Sequence, residues 1–387
     1  MISVAEALER VLALAHPLPV EMVPLAEAAG RWLAEPVPAR LTQPPFNASA
    51  MDGYAIVGPA PAGAAFTVIG EAGAGHAFTG SLGPGDSLRI FTGAPVPTGA
   101  SHVALQEDVL REGNRITLTA AAEKTNIRAQ GDDFKTGHIF APRQLRPQDI
   151  ALLAAMNLDR LPLRRRPEVA ILTTGDELVM PGEVPRADQI VASNGFAIKA
   201  LVEQVGGAAR LLPIARDTEA SLRAAFALAE GADVVVTIGG ASVGDHDVVA
   251  RLAPDLGLKL AFHKIAMRPG KPLIAGDFRG VPLLGLPGNP VSAFTCAHLF
   301  LLPLLRAMLG DPAPEPRLER ACLAQDTGPA GPRAHYMRAS VENGRITPFA
   351  RQDSALLSVL CQANALLLRP AGDQSRQAGD MVEFLPI

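Results

Sequence analysis

Four short loops in the second half of the chain carry side chains suited to holding phosphate or another oxyanion. They are Thr173-Thr174-Gly175-Asp176-Glu177-Leu178, Ile238-Gly239-Gly240-Ala241-Ser242-Val243-Gly244-Asp245-His246-Asp247, Met267-Arg268-Pro269-Gly270-Lys271-Pro272 and Leu286-Pro287-Gly288-Asn289-Pro290. A loop such as 239–244 lets backbone N–H groups approach an anion, and Ser242 adds a hydroxyl donor. Glycine turns of this kind also serve tight packing, so four on one chain say more than one alone. Asp245 and Asp247 stand two apart and share a face in an extended loop. A carboxylate pair beside an anion loop suits Mg²⁺, which takes one or two carboxylates plus substrate phosphates. The plainer reading makes Asp245 a helix cap, and His246 reads as a loop histidine. Asp176 reads as a turn cap that leaves Glu177 for the site. Asp217 reads either as the N-cap of the helix that follows or as a further acid. Arg268 and Lys271 bracket Pro269-Gly270 as an oxyanion clamp or a surface turn. Gly288-Asn289-Pro290 fits a helix to a strand, with Asn289 in reach of a substrate.

The chemistry is that of phosphoryl, nucleotidyl or oxyanion handling. No Cys or Ser has a base visible in the sequence, which argues against a nucleophile–His–acid arrangement. The 239–244 loop is followed by Asp245 rather than Lys and Ser/Thr, so it is not a Walker A loop.

These loops require a sheet whose strand ends face one way, because ligands bind beyond the carboxyl ends of parallel strands. The sequence provides one. Residues 169–173, 211–215, 234–238, 260–266 and 282–286 read as strands. Residues 196–205, 218–229, 248–252 and 292–309 read as helices between them, giving βαβ crossovers and a mainly parallel sheet. Before Arg164-Arg165-Arg166-Pro167 the texture differs. Ser3 and Glu6 form a capping pattern ahead of a helix, and 25–34 reads as a second. Residues 65–69, 87–91 and 115–119 read as short strands, and 147–158 as a helix. Beyond the proline-rich 311–316, Asn343-Gly344 signals a hairpin within a small β-barrel. The expected domains are a split helical one over 1–40 and 137–165, an inserted β-rich one over 41–136, an α/β one over 166–310 and a barrel over 311–387.

Composition narrows the function. The 387 residues include 35 Lys and Arg against 39 Asp and Glu, a net charge of −4. That balance argues against a nucleic-acid footprint, and the scarce aromatics (14 Phe, 2 Tyr, 1 Trp) against base stacking. The longest apolar stretch, 293–305, carries His298 and Pro303 and reads as short of a membrane span. The start has an acid where a signal peptide is basic, and three scattered cysteines form neither a zinc nor a disulfide framework. A cytoplasmic location is expected.

With those residues in view, the chain resembles the molybdopterin molybdenumtransferases, the MoeA proteins and the E domain of gephyrin. The resemblance runs from end to end. It rests on the four loops and on Pro45-Phe46-Asn47-Ala48-Ser49-Ala50-Met51-Asp52-Gly53-Tyr54-Ala55, Phe91-Thr92-Gly93-Ala94-Pro95-Val96-Pro97 and Asn126-Ile127-Arg128 with Gly131-Asp132-Asp133. It implies insertion of molybdate into adenylylated molybdopterin, with Mg²⁺ and release of AMP, by an elongated homodimer whose site is shared between subunits. It implies catalytic roles for Asp52, Glu177, Asp217, Asp247 and Lys271, with Asp247 and Glu177 on the metal. Substrate binding would fall to Thr92, Thr174, Gly175, Ser193, Asn194, Gly239, Gly240, Ser242, Gly244, Arg268, Gly288, Asn289, Arg338 and Ser354. Arg268 stands where many relatives carry Lys. The implied partners are the adenylyltransferase that makes the substrate and downstream molybdenum-cofactor enzymes. A one-domain adenylyltransferase would share the α/β loops but lack the 49–55 block and the barrel. A scaffold role would call for added partner modules.

Overall fold

A computed structural model describes residues 1–239 and 257–387. The chain divides into two compact units: Met1–Glu21, Gly30–Ala34 and Pro162–Ile387 form one, and Met22–Ala29 with Glu35–Leu161 the other.

The first unit is built on a six-stranded sheet. Its order is Ala208–Leu211, Glu168–Thr173, Val234–Ile238, Val281–Leu286, Ile274–Phe278, Leu258–His263. The first four strands are parallel and the last two antiparallel. Val234–Ile238 is buried at every position, as a strand covered on both faces must be. One face packs in a core with Val169, Ile171, Val236 and Ile238, the other with Ala170, Leu172 and Val235. The strand expected over 211–215 lies earlier, at Ala208–Leu211, because Pro213 has no N–H with which to continue the ladder. The helix expected at 248–252 falls outside the described residues.

Helices Asn194–Gln204 and Glu219–Ala227 follow the expected pattern. The long helix Pro290–Leu309 runs for 20 residues and is 78% buried. The apolar stretch is therefore long enough to span a bilayer, contrary to the sequence reading, yet most of it is enclosed in this unit's core. A π-turn at Ala297–Leu301 precedes Pro303. A proline there cannot bond the carbonyl four residues back, and a wider turn accommodates its ring.

A barrel completes the unit. Strands Glu319–Leu323, Arg345–Pro348, Ala334–Glu342, Ala365–Arg369 and Met381–Pro386 pair in a closed ring of five. The expected hairpin turn has both central residues at positive φ, Asn343 at 50° and Gly344 at 75°.

The N-terminal segment is less helical than its sequence suggests. Helix Val4–Leu12 is capped by Ser3, whose hydroxyl accepts the Glu6 N–H. Residues 25–34 contain a single 3-10 turn, Leu25–Glu27, and Gly30 at φ 73° breaks any longer helix. Ala7 and Val11 bury their apolar face in the α/β core, so residues expected to form one helical domain over 1–40 and 137–165 are divided between the two units.

The second unit holds a six-stranded sheet in the order His102–Leu105, Gly53–Ile56, Asp86–Ile90, Ala65–Ala72, Arg115–Leu118, Val109–Glu112. Its helix Pro147–Ala155 begins on Asp149, whose side chain is 3% exposed and accepts from Arg143 and from the Arg146 backbone and guanidinium. Burial pushes this carboxyl up, but the Arg146 bonds and the Arg143 and Arg146 charges outweigh it and hold it below the ordinary range. The unfolded carboxyl titrates near ~3.9. Its stabilising contribution is thus complete above that pH and is lost as pH falls through the lower folded value. Asp149→Ala should cost about 2 kcal/mol at neutral pH. Melting curves against pH should show the variant and the wild type converging in acid, and parallel curves would count against this account.

Candidate functional site

A cleft of about 610 Å³ opens at the carboxyl ends of the parallel strands. Thr174, Gly175 and Glu177 line it after the first strand, Gly239 after the third, and Gly288 and Asn289 after the strand ending at Leu286. Ser193, Asn194 and Asp217 complete the polar lining, and Leu178, Ile190 and Val191 add an apolar part. Two helices, Asn194–Gln204 and the one starting at Pro290, begin in this lining. Helix N-termini carry the positive end of the dipole, which favours an anion, although at the Pro290 start the first residue lacks an N–H and the Val291 N–H already donates to Ser354 O at 3.1 Å.

The floor itself offers fewer donors than a glycine loop promises. The Thr174 N–H donates to Ile238 O at 2.9 Å, Gly175 to Ala215 O at 3.1 Å and Gly239 to Leu286 O at 3.2 Å. The strands thus pair onward past their regular ends. Gly239 sits at φ 87°, and a Cβ there would lie 2.6 Å from the Thr174 carbonyl oxygen. Gly175, at φ 152°, is overlaid by the Glu177 carboxylate, which a Cβ would meet at 2.6 Å.

The acids are placed by that turn. Arg216 donates to the Asp176 carbonyl at 2.8 Å, and the Asp176 carboxylate accepts the Asp217 N–H at 3.3 Å. Asp176 is therefore the structural acid; the Glu177 carbonyl accepts the Ile190 N–H at 2.8 Å, while its exposed carboxylate has no hydrogen-bond partner among the described residues. The helix cap beside Asp217 is Thr218, whose hydroxyl accepts the Ser221 N–H, so Asp217 does not have the capping role that the sequence allowed it. Asn194 is held by its bond to Gly288 O at 2.6 Å.

Cations flank the cleft. Arg268 is exposed and Lys271 half-buried; neither is in the lining, but the adjoining Pro272 is. Arg268 lies on the short strand Met267–Arg268, which pairs in parallel with Ala334 and His335 of the barrel. Burial, with smaller contributions from Arg268, Arg338, Arg369 and Arg333, pushes His335 down to about 4. Arg338 is 1% exposed, and its guanidinium bonds the 351–353 loop, donating to Asp353 O at 2.6 Å. Ser354 is not in the lining, though its neighbour Ala355 is. Gly240, Ser242, Gly244 and Asp247 lie outside the described residues.

Asp52 and Thr92 belong to the second unit. Asp52 Oδ1 accepts both the Thr92 N–H at 2.7 Å and the Thr92 hydroxyl at 2.8 Å. The backbone bond, then the hydroxyl bond, hold this carboxyl below the ordinary range, with Arg89 adding a smaller pull against burial. Arg89 lies over the Tyr54 and Phe91 rings at 5.1 and 4.6 Å.

Sequence reading thus placed Thr174, Gly175, Glu177, Ser193, Asn194, Asp217, Gly239, Gly288 and Asn289 in one cleft. It missed the apolar wall. Leu178 pairs with Ile190 and Val179 with Val191 in a two-stranded ribbon; the signal was two aliphatic pairs bounding the proline- and glycine-bearing 180–189.

Residues 2–157 match the MoeA N-terminal region (domain I and II), 170–307 a probable molybdopterin binding domain and 320–387 the MoeA C-terminal region (domain IV). The chain is 35% identical over 387 residues to a molybdopterin molybdenumtransferase of Nostoc, covering 95% of this chain and 88% of that one. It is 30% identical over 398 residues to one from Staphylococcus epidermidis, covering 99% and 95%. The fold superposes on a molybdopterin biosynthesis MoeA protein of Pyrococcus horikoshii with a TM-score of 0.84 at 30% identity, covering 100% of this chain and 99% of that one. With three matching regions in order and an anion cleft on the middle one, the chain belongs to the MoeA family and is a transferase of molybdenum-cofactor biosynthesis.

Proposed function

We propose that the protein inserts molybdate into adenylylated molybdopterin and releases AMP in a Mg²⁺-dependent reaction. The convergence of two helix N-termini on a cleft rimmed by Glu177 and Asp217 carries this reading. The N-termini favour the phosphates, and the apolar Ile190–Val191 edge offers a flat surface to a planar ring. Arg268 and Lys271 supply positive charge for molybdate, a dianion that a phosphate-bearing site otherwise repels.

The donor set fits Mg²⁺. No cluster of three or more metal-binding side chains exists among the described residues. A site with one or two carboxylates, completed by substrate phosphate, is what Mg²⁺ takes. Glu177, with Asp247 from the loop outside the described residues, would hold it. When bound, the ion polarises the phosphoanhydride. Glu177 orients, Asp217 adds charge at the rim, and Asp52 supplies a negative charge whose direction the two Thr92 bonds fix. Two chains would form a homodimer, Asp52 of one acting with Asp247 of the other. The adenylyltransferase that makes the substrate and the enzymes that take up the cofactor are its proposed partners.

Glu177→Gln should lower AMP release about 100-fold with unchanged melting temperature, assayed with adenylylated molybdopterin, molybdate and Mg²⁺; near-normal turnover would remove Glu177 from the mechanism. Arg268→Ala and Lys271→Ala should each raise the molybdate requirement, more so in high salt. A change confined to the pterin requirement would reassign them. Thr92→Val removes one of the two Asp52 bonds, so the Asp52 carboxyl should titrate higher in an NMR titration. The acid limb of the activity profile should move to higher pH with it, and an unmoved titration would refute this. Asp52→Ala and Asp247→Ala subunits, each inactive alone, should recover part of the activity when mixed under subunit exchange. Verified heterodimers that stay silent would rule out the shared site.

A further inference from the structure

We propose that Gln352 is a positioning residue of the cleft: its carboxamide clamps the barrel loop 349–355 so that the loop caps the helix starting at Pro290 and closes one side of the site. The inference rests on the reading above only for its ligand.

Every hydrogen-bonding group of the Gln352 side chain is engaged. Its oxygen accepts from the Arg338 N–H at 3.0 Å, from Nε at 3.3 Å and from Nη2 at 3.1 Å. Its nitrogen donates to the carbonyls of Arg338 at 2.9 Å and Phe349 at 2.7 Å. Arg338 completes the clamp, donating to Asp353 O at 2.6 Å and Arg351 O at 3.3 Å. Loop and strand are thus bound together through two side chains, one of them almost wholly buried.

The clamp reaches the cleft through three further contacts. Asp353 Oδ1 accepts the Ala355 N–H at 2.8 Å and folds the loop end. Ser354 O accepts the Val291 N–H at 3.1 Å. Ala355 lines the cleft beside Asn289 and Pro290. The Val291 contact matters because the helix has no other cap there: Pro290 lacks an N–H, and Asn289 makes no side-chain capping bond. The barrel loop therefore supplies the acceptor that a side chain provides at most helix starts. A helix N-terminus aimed at a ligand works only while it is held in place, since misplacement by about 1 Å costs ~100-fold.

The test compares wild type with Gln352→Met, which keeps length and loses all hydrogen bonding, and with Gln352→Ala. Three quantities are measured: hydrogen exchange of the Val291 amide, AMP affinity, and KM with kcat for AMP release. Expected are exchange at Val291 about tenfold faster, AMP binding about tenfold weaker and KM raised in proportion with kcat within about threefold. Amides of Glu319–Leu323 and Met381–Pro386 should stay protected. Unchanged Val291 exchange would overturn the proposal. So would faster exchange with unaltered AMP affinity and KM, since the loop would then have no bearing on the cleft. Loss of barrel protection in both variants would make the clamp a folding element and overturn it as well. A wild type that binds no AMP would refute the nucleotide reading, while the exchange arm would still decide whether Gln352 holds the helix start.

Discussion

Onward pairing of the parallel strands is the constraint on which the site depends. Thr174 N–H to Ile238 O and Gly239 N–H to Leu286 O carry the ladder past the last regular residues. The strand ends are drawn so close that residue 239 has no room for a side chain. Thr174 is left 3% exposed, with its hydroxyl unpaired. The floor's N–H groups are already engaged, so any donor the cleft offers lies outside this ladder, and the cleft rests on a rigid floor.

The helix Pro290–Leu309 links that floor to the rest of the first unit. It is apolar nearly all round, and Val291, Ala293, Cys296, Ala297, Phe300, Leu301 and Leu304 are all at or below 1% exposed. Burial of such side chains stabilises by roughly 1.5–3 kcal/mol each for the larger ones, so the helix start cannot drift without disturbing the core. Burial also removes reactivity from groups that might otherwise be taken for catalysts. The Cys296 thiol is pushed up by burial and packs beneath the Gly270 carbonyl at 3.8 Å. His298 is pushed down to about 4 by burial, with Arg306 adding to the shift. Both side chains are thereby held in their neutral forms inside the core.

Legibility followed the range of the forces involved. The α/β strands could be read because a doubly covered strand such as Val234–Ile238 must be apolar throughout. The hairpin at Asn343-Gly344 could be read because few residues accept positive φ twice in succession. The helix expected over 25–34 could not, since its alanines and leucine have helical propensity but Gly30 turns the chain. The cleft's polar residues were legible as motifs. Its apolar wall was not, because Leu178 and Ile190 meet only through tertiary pairing. The same holds for the partners of Arg338: Gln352, Arg351 and Asp353 meet its guanidinium only once the loop after Pro348 has folded back on the strand.

The two kinds of acid differ in what they are free to do. Asp52 Oδ1 takes two short bonds from one residue, and a carboxyl held below the ordinary range carries no proton to donate near neutral pH. What Asp52 presents is a negative charge whose direction the two Thr92 bonds fix. The Glu177 carboxylate has no partner among the described residues and folds over Gly175 at the cleft edge. A carboxylate in that position is free to take up a cation or release it as the ligand's charge changes. The two acids thus differ in freedom: one carboxylate is fixed by two bonds, and the other is held by none among the described residues.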